Sequence, residues 1–322
     1  MMLLTRTTIF CLSLLISNVS LAKETLRVGY LPIMDHLILP VSHALDNPQY
    51  QHLDVQPRLF KKWTELAGAL KANKIDAAFV LAPLAMKMFQ NGLDIKTILL
   101  AHRDGSAITV TKNSSIQNAA DLKGKRIAIP GHKSTHVALL DSYLKKSGLS
   151  LENVTLKSIA PPNMQKAMEL GFIDGFIVAE PFGSKAVKQN VGNLLVLSRE
   201  ILPNHIDCIV VINNTFLTTY SEAVKEWIAS LIKASQWIEH DRVTSQAHSV
   251  ANLVSGGHYF SHTNELIINA LTEPLEKISF TNLKPDIKDF EVILNIGKEA
   301  GIIDHIDLTH FIDDRVYPIP LK

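Results

Sequence analysis

The chain of 322 residues is 47% hydrophobic and 20% charged, with a net charge of +1. That balance excludes a disordered polar chain, and near-neutrality offers no basic surface for nucleic acid. The length allows two modest domains or one large one.

In chain order, Arg6 precedes an apolar run over residues 7–16, then small residues at Ser20 and Ala22. This reads as a secretory signal cleaved after Ala22, since the run is short for a bilayer span. Cys11 lies inside the run and is not read as a lipidation site. Cleavage leaves 31 basic and 31 acidic side chains and Cys208 as the one remaining cysteine. The mature chain then has no internal disulfide and no thiolate cluster for zinc.

A strand is expected over 26–32, stopped by Pro32, with Asp35 and His36 in the loop after it. A helix follows over 37–45. The strand over 55–60 carries Pro57, which suggests a sheet edge. Thr64 is a candidate cap for a helix over 64–73. A strand over 75–81 ends at Ala82-Pro83, a helix over 84–91 closes at Gly92, and a strand runs over 95–102. Such alternation implies a mostly parallel sheet with helices on both faces. Ligands gather at the carboxyl ends of such strands, so Asp35, His36, Trp63, Thr64 and Pro83 fall at one rim.

Gly105, among polar residues, marks a crossing between lobes, and a strand follows over 108–111. Arg126-Ile127-Ala128-Ile129-Pro130-Gly131-His132-Lys133-Ser134-Thr135-His136 reads as strand, tight turn and helix start, with Ser134 or Thr135 as the cap. Backbone N–H groups at such a start attract an anion or polar group; the alternative is an ordinary βα turn. After a helix over 137–144 come a strand over 154–159, a helix over 164–170 capped by Asn163, and a strand over 173–179 ending at Glu180-Pro181-Phe182. Asp76-Ala77-Ala78-Phe79-Val80 and Asp174-Gly175-Phe176-Ile177-Val178 look like counterparts, so a second β-α-β-α-β unit repeats the first. Residues 208–212 form a strong strand, read as the return crossing. Helices over 223–240, 263–271 and 286–300 complete the chain before an irregular tail.

Leu26-Arg27-Val28-Gly29-Tyr30-Leu31-Pro32 and Lys74-Ile75-Asp76-Ala77-Ala78 carry a family likeness. So do Ala120-Asp121-Leu122-Lys123-Gly124-Lys125-Arg126, the 131–136 turn and Ala179-Glu180-Pro181-Phe182-Gly183. In this order they resemble the periplasmic substrate-binding proteins of ABC importers, in the nitrate/sulfonate/taurine/bicarbonate class. The resemblance implies a two-lobed α/β fold of the type II periplasmic-binding class. The lobes would be residues 23–104 with 210–322, and residues 105–209, closing on a solute by a hinge. It also implies a periplasmic monomer that docks on an inner-membrane permease, with no cofactor and no catalytic residues.

By motif, the resemblance points to Asp35, His36, Trp63, Thr64, Pro83, Arg103, Gly131, His132, Ser134, Thr135, His136 and Glu180 as ligand contacts. Each has a plain structural alternative. Asp35 could cap a surface turn, Trp63 could be core packing, and Arg103 could pair with Asp104 or Glu180. Glu180 could partner a basic residue. Its carboxylate repels a simple anion but accepts hydrogen bonds from an amine or ring N–H. His36, His102, His132 and His136 lack the spacing of a zinc hydrolase, and no metal is expected. The alternative ligand is a thiamine-precursor pyrimidine held by Trp63, Phe182 and Glu180. A pyrimidine-precursor synthase of the same fold would need clustered cysteines that this chain lacks. A Ser-His-Asp hydrolase finds no G-x-S-x-G elbow. A receptor that signals rather than transports is a third class.

Overall fold

A computed structural model of the protein describes residues 23–318 apart from 258 and 305. The secretory signal read at residues 1–22 lies outside the described residues. The first unit runs β1 (Glu24–Tyr30), α1 (Ile38–Asp46), β2 (Leu53–Leu59), α2 (Trp63–Lys71), β3 (Ala77–Leu81), α3 (Ala82–Gln90) and β4 (Ile95–Leu100). A two-residue strand, β5 (Arg103–Asp104), leads to the second unit. That unit comprises β6 (Ser106–Thr111), β7 (Arg126–Ile129), α4 (Thr135–Lys145), β8 (Thr155–Ser158), α5 (Pro161–Glu169), β9 (Gly175–Ala179), α6 (Phe182–Lys188), β10 (Gly192–Leu197) and α7 (Ser198–Ile201). The chain returns through β11 (Cys208–Asn213). It finishes with α8 (Asn214–Thr219), α9 (Ser221–Thr244), α10 (His248–Val254), α11 (Asn264–Thr272), β12 (Ile278–Ser279) and α12 (Ile287–Glu299).

Two five-stranded sheets result, in the orders β2-β1-β3-β11-β4 and β8-β7-β9-β6-β10. The orders are the same once each unit is counted from its own start. In the first sheet β11 runs antiparallel to β3 and β4 while β1, β2 and β3 pair in parallel. In the second, β6 runs antiparallel to β9 and β10 while β7 pairs in parallel with β8 and β9. The reversed strand is in each case the one that has just crossed from the other unit. Strand alternation alone therefore gives the majority direction but not the reversed strand. β2 is an edge strand, as Pro57 suggested.

The internal repeat extends to side chains. The N–H and Nε of Arg27 both donate to Asp76 Oδ2, at 2.9 and 2.8 Å. The N–H and Nε of Arg126 both donate to Asp174 Oδ2, at 2.7 and 3.0 Å. Each pair ties a unit's first strand to the residue just before its third, and each is bidentate.

Local starts differ from expectation at two helices. α2 begins at the buried Trp63 after Lys62, so Thr64 lies inside the helix and caps nothing. α5 begins at Pro161 after Ala160, so Asn163 falls in its first turn. Proline suits the first helical position because its missing N–H has no intrahelical partner there anyway. The apolar strands supply the buried layer of each unit: every residue of β3 and β9 is buried. α9 packs on α1, and α12 packs on both α3 and α4, so the final helix touches both units.

Candidate functional site

The crossings bring the carboxyl ends of both sheets face to face. Asp104 and Gly105 have φ of +59° and +93°, and Gly105 is the residue at which the chain changes sheets. A Cβ there would lie 3.1 Å from Asp35 Oδ1, 3.1 Å from His102 Nδ1 and 3.0 Å from Ile278 Cδ1. Glycine allows both the backbone turn and the close approach. Main-chain bonds hold the units together at this point: Met34 N–H donates to the Glu180 carbonyl and Glu180 N–H to the Gly105 carbonyl, each at 2.9 Å.

Between the units lies a fully buried polar cluster. Asp35 sits in a single 3-10 turn, Met34–His36, after β1. Its Oδ2 is 3.2 Å from His102 Nε2 and receives the Cys208 thiol at 3.8 Å. Burial raises the Asp35 carboxyl pKa; at His102 burial pulls the imidazole's down, but Asp35 and Asp207 together raise it on balance. Burial also pushes the Cys208 thiol well up. Asp207, next to Cys208, lies 3.4 Å from His136 Nε2, and Ser106 Oγ is 2.9 Å from the same nitrogen and 3.3 Å from Asp207 Oδ2. Burial opposes the Asp207 charge, but the surrounding histidines, His136 first, hold its pKa down. Burial lowers the pKa of His136 and His205, which favours their neutral forms. On the second unit's side Glu180 Oε1 pairs with Lys277 Nζ at 3.2 Å, and Lys277 also donates to Ser184 Oγ at 2.8 Å. Asp35 Oδ1, Asp207 Oδ1 and His136 Nδ1 are buried without a hydrogen-bond partner among the described residues.

The expected contacts divide three ways. Asp35, Thr135, His136 and Glu180 are buried where the units meet. Trp63 and Thr64 lie at an open mouth of about 410 Å³ shared with Pro130, Ile159, Pro161 and Asn163, and the Trp63 Nε1 there has no partner. The remainder are engaged elsewhere. His36 Nδ1 accepts from Leu31 N–H at 2.8 Å, and its ring stands edge-on to Trp63 at 5.6 Å, a packed core histidine. Arg103 pairs with Asp289 at 2.6 Å and with the Asn204 and Asn282 carbonyls, rather than with Asp104 or Glu180. Pro83 is buried in the first turn of α3. Gly131 is partly exposed and His132 exposed, and Ser134 turns its hydroxyl onto the Gly131 carbonyl instead of capping α4. His132 therefore does not join the other histidines.

Ser106, Asp207, Cys208, Ser184 and Lys277 were missed. The first three stand at the entry of β6 and β11, the two reversed strands, which is the signal that locates them. Ser106, His136 and Asp207 also lack the geometry of a hydrolytic triad. Serine and aspartate both meet Nε2, whereas a triad needs the aspartate on Nδ1.

The NMT1-like family profile matches residues 20–255. The nitrate import ATP-binding protein NrtC of a Synechocystis species is 27% identical over 242 residues, which is 69% of this chain and 36% of that protein. The taurine-binding periplasmic protein of Escherichia coli is 31% identical over 184 residues, 56% of each. The chain thus spans about a third to a half of these curated relatives. Among solved structures, the ligand-binding component of an ABC-type import system from Staphylococcus aureus, determined with zinc bound, superposes with a TM-score of 0.82. It is 22% identical and the match covers 92% of this chain and 98% of that one, a likeness of fold. With the profile covering well over half of its length, the chain belongs to the NMT1-like family.

Proposed function

We propose that the protein is the solute-binding component of an ABC importer, exported to the periplasm and delivering a small polar solute to an inner-membrane permease. The observation that carries this reading is the polar cluster at the facing strand ends of two repeated units. Its buried donors and acceptors are left incomplete, and a bound solute would complete them. Residues 23–104 with 208–322 would move as one body and 105–207 as the other, since β11 joins the first sheet from Cys208 onward, turning about Gly105 and the Asp207 region. The relatives named for nitrate and taurine make a nitrate- or sulfonate-like solute the first ligand class. The carboxylates at the cleft disfavour a bare anion and favour a solute that also carries an N–H donor, as taurine does.

A heteroaromatic pyrimidine is the second reading. Trp63, whose indole borders the mouth, favours it. A binding role rather than an enzymatic one accords with the triad geometry above. The test is mass spectrometry of small molecules released from freshly purified protein, followed by thermal shift with a panel of oxyanions, sulfonates and pyrimidines. A ligand released unchanged, with a Tm rise that grows with its concentration, supports the reading. A chemically altered ligand, or a flat panel, contradicts it.

A further inference from the structure

We propose that Asp35, His102 and Cys208 form a binding site for one divalent ion of the zinc class on the floor of the cleft. A carboxylate oxygen, an imidazole nitrogen and the thiol sulfur all lie within 4.8 Å of one another, and all three residues are buried. The separations match the edges of a tetrahedron around a metal. Metal–oxygen and metal–nitrogen bonds of about 2.0–2.1 Å give an edge of about 3.3 Å, and a metal–sulfur bond of about 2.3 Å a slightly longer one. The structure has 3.2 Å from Asp35 Oδ2 to His102 Nε2 and 3.8 Å from Oδ2 to Cys208 Sγ. Small side-chain shifts suffice.

The protons present do not satisfy this arrangement. His102 Nε2 faces both the Asp35 carboxylate and the Cys208 N–H, each at 3.2 Å. A protonated Nε2 leaves the amide no acceptor, while a bare Nε2 sets its lone pair against the carboxylate. A cation held by both groups removes that repulsion, and the Cys208 N–H then turns to another acceptor, as it must with a protonated Nε2. Asp35 Oδ1 is also buried without a partner, as is Oδ1 of the neighbouring Asp207. No lysine or arginine pairs with either carboxylate among the described residues. On binding, the ion displaces the thiol proton and whatever proton Asp35 or His102 carries, and these leave to solvent. Mixed sulfur, nitrogen and oxygen donors select zinc or cobalt over magnesium or calcium. Three protein ligands leave a fourth position for a solute or a water.

The inference rests on the cleft reading for its location and deepens it by naming a ligand of that site. The test uses purified, reduced, chelator-treated protein titrated with Co²⁺. The expected result is a thiolate-to-cobalt charge-transfer band and strong visible bands that saturate at one equivalent and disappear when Zn²⁺ is added. Cys208→Ala should abolish the charge-transfer band, Asp35→Asn should weaken binding at least tenfold, and His310→Ala, at an exposed histidine, should change nothing. A wild-type titration without the charge-transfer band overturns the site, as does a band that survives in Cys208→Ala. The wild-type spectrum decides even where a variant fails to fold. A solute that stabilises the chelator-treated protein would leave the uptake reading standing when the cobalt result is negative.

Discussion

Lys277→Met tests the buried ion pair at the junction of the two units. Lys277 and Glu180 are each 1% exposed, and Nζ lies 3.2 Å from Oε1. Among the described residues, removing the ammonium leaves the carboxylate with the Ser184 N–H alone, at 3.1 Å, to offset its desolvation. Breaking a buried pair on one side costs about 3–5 kcal/mol, because an uncompensated charge remains. At about 2 °C of Tm per kcal/mol for a chain of this size, the variant should melt roughly 6–10 °C lower. Glu180→Gln combined with Lys277→Met removes both charges and should recover most of that loss. The assay is urea and thermal unfolding followed by both fluorescence and circular dichroism, with coincident transitions required before a free energy is taken. A single variant within about 1 kcal/mol of the parent would refute the reasoning. So would a double variant no more stable than the single.

Gly105→Ala should destabilise by about 1–3 kcal/mol, since an alanine at φ +93° is strained and its Cβ presses on Asp35, His102 and Ile278; a neutral result in urea unfolding would show that the crossing is not constrained. Asp76→Asn and Asp174→Asn each loosen the equivalent arginine clamp of one unit. Their costs should add within about 0.5 kcal/mol, and a coupling above about 1 kcal/mol would show that the two clamps are not independent. His36, His136, His205 and His262 all have pKa values lowered by burial. Their folded forms stay neutral where the unfolded chain, with pKa near 6.5, takes up protons, so stability rises with pH in that window and is lost as pH falls below about 6.5. His102, shifted up, works in the opposite direction. The urea midpoint should be level between about pH 7 and 8 and drop below about pH 6; a midpoint unchanged at about pH 5 would contradict the account.

Periodicity and turn residues revealed most of the elements, because burial imposes period-two and period-3.6 patterns that survive in a single sequence. The likeness of the Asp76 and Asp174 segments proved to be a structural repeat, down to the Arg27 and Arg126 clamps. β10 was not anticipated: four of its six residues, Leu194 to Leu197, form an apolar run, and a run that short carries no period by itself. The reversed directions of β6 and β11 were also hidden, since direction depends on which unit a strand enters rather than on its own residues.

In the site, the short-range features were legible: Asp35 after β1, Glu180 after β9, the helix start at Thr135-His136. Long-range partners were not. Lys277 meets Glu180 across 97 positions and Asp289 meets Arg103 across 186, separations at which sequence spacing says nothing about contact. Cys208 was passed over because a lone cysteine carries no spacing signal. Only the fold sets it beside a carboxylate and an imidazole.

Spin labels at Lys62→Cys and Ser158→Cys, which face each other across the cleft mouth, would read its width directly, because the native Cys208 is buried. With a solute identified by the release experiment, the interlabel distance should be broad and long in ligand-free protein and collapse to one short distance at saturation. A distribution that is the same with and without saturating solute would contradict a cleft that closes on its ligand.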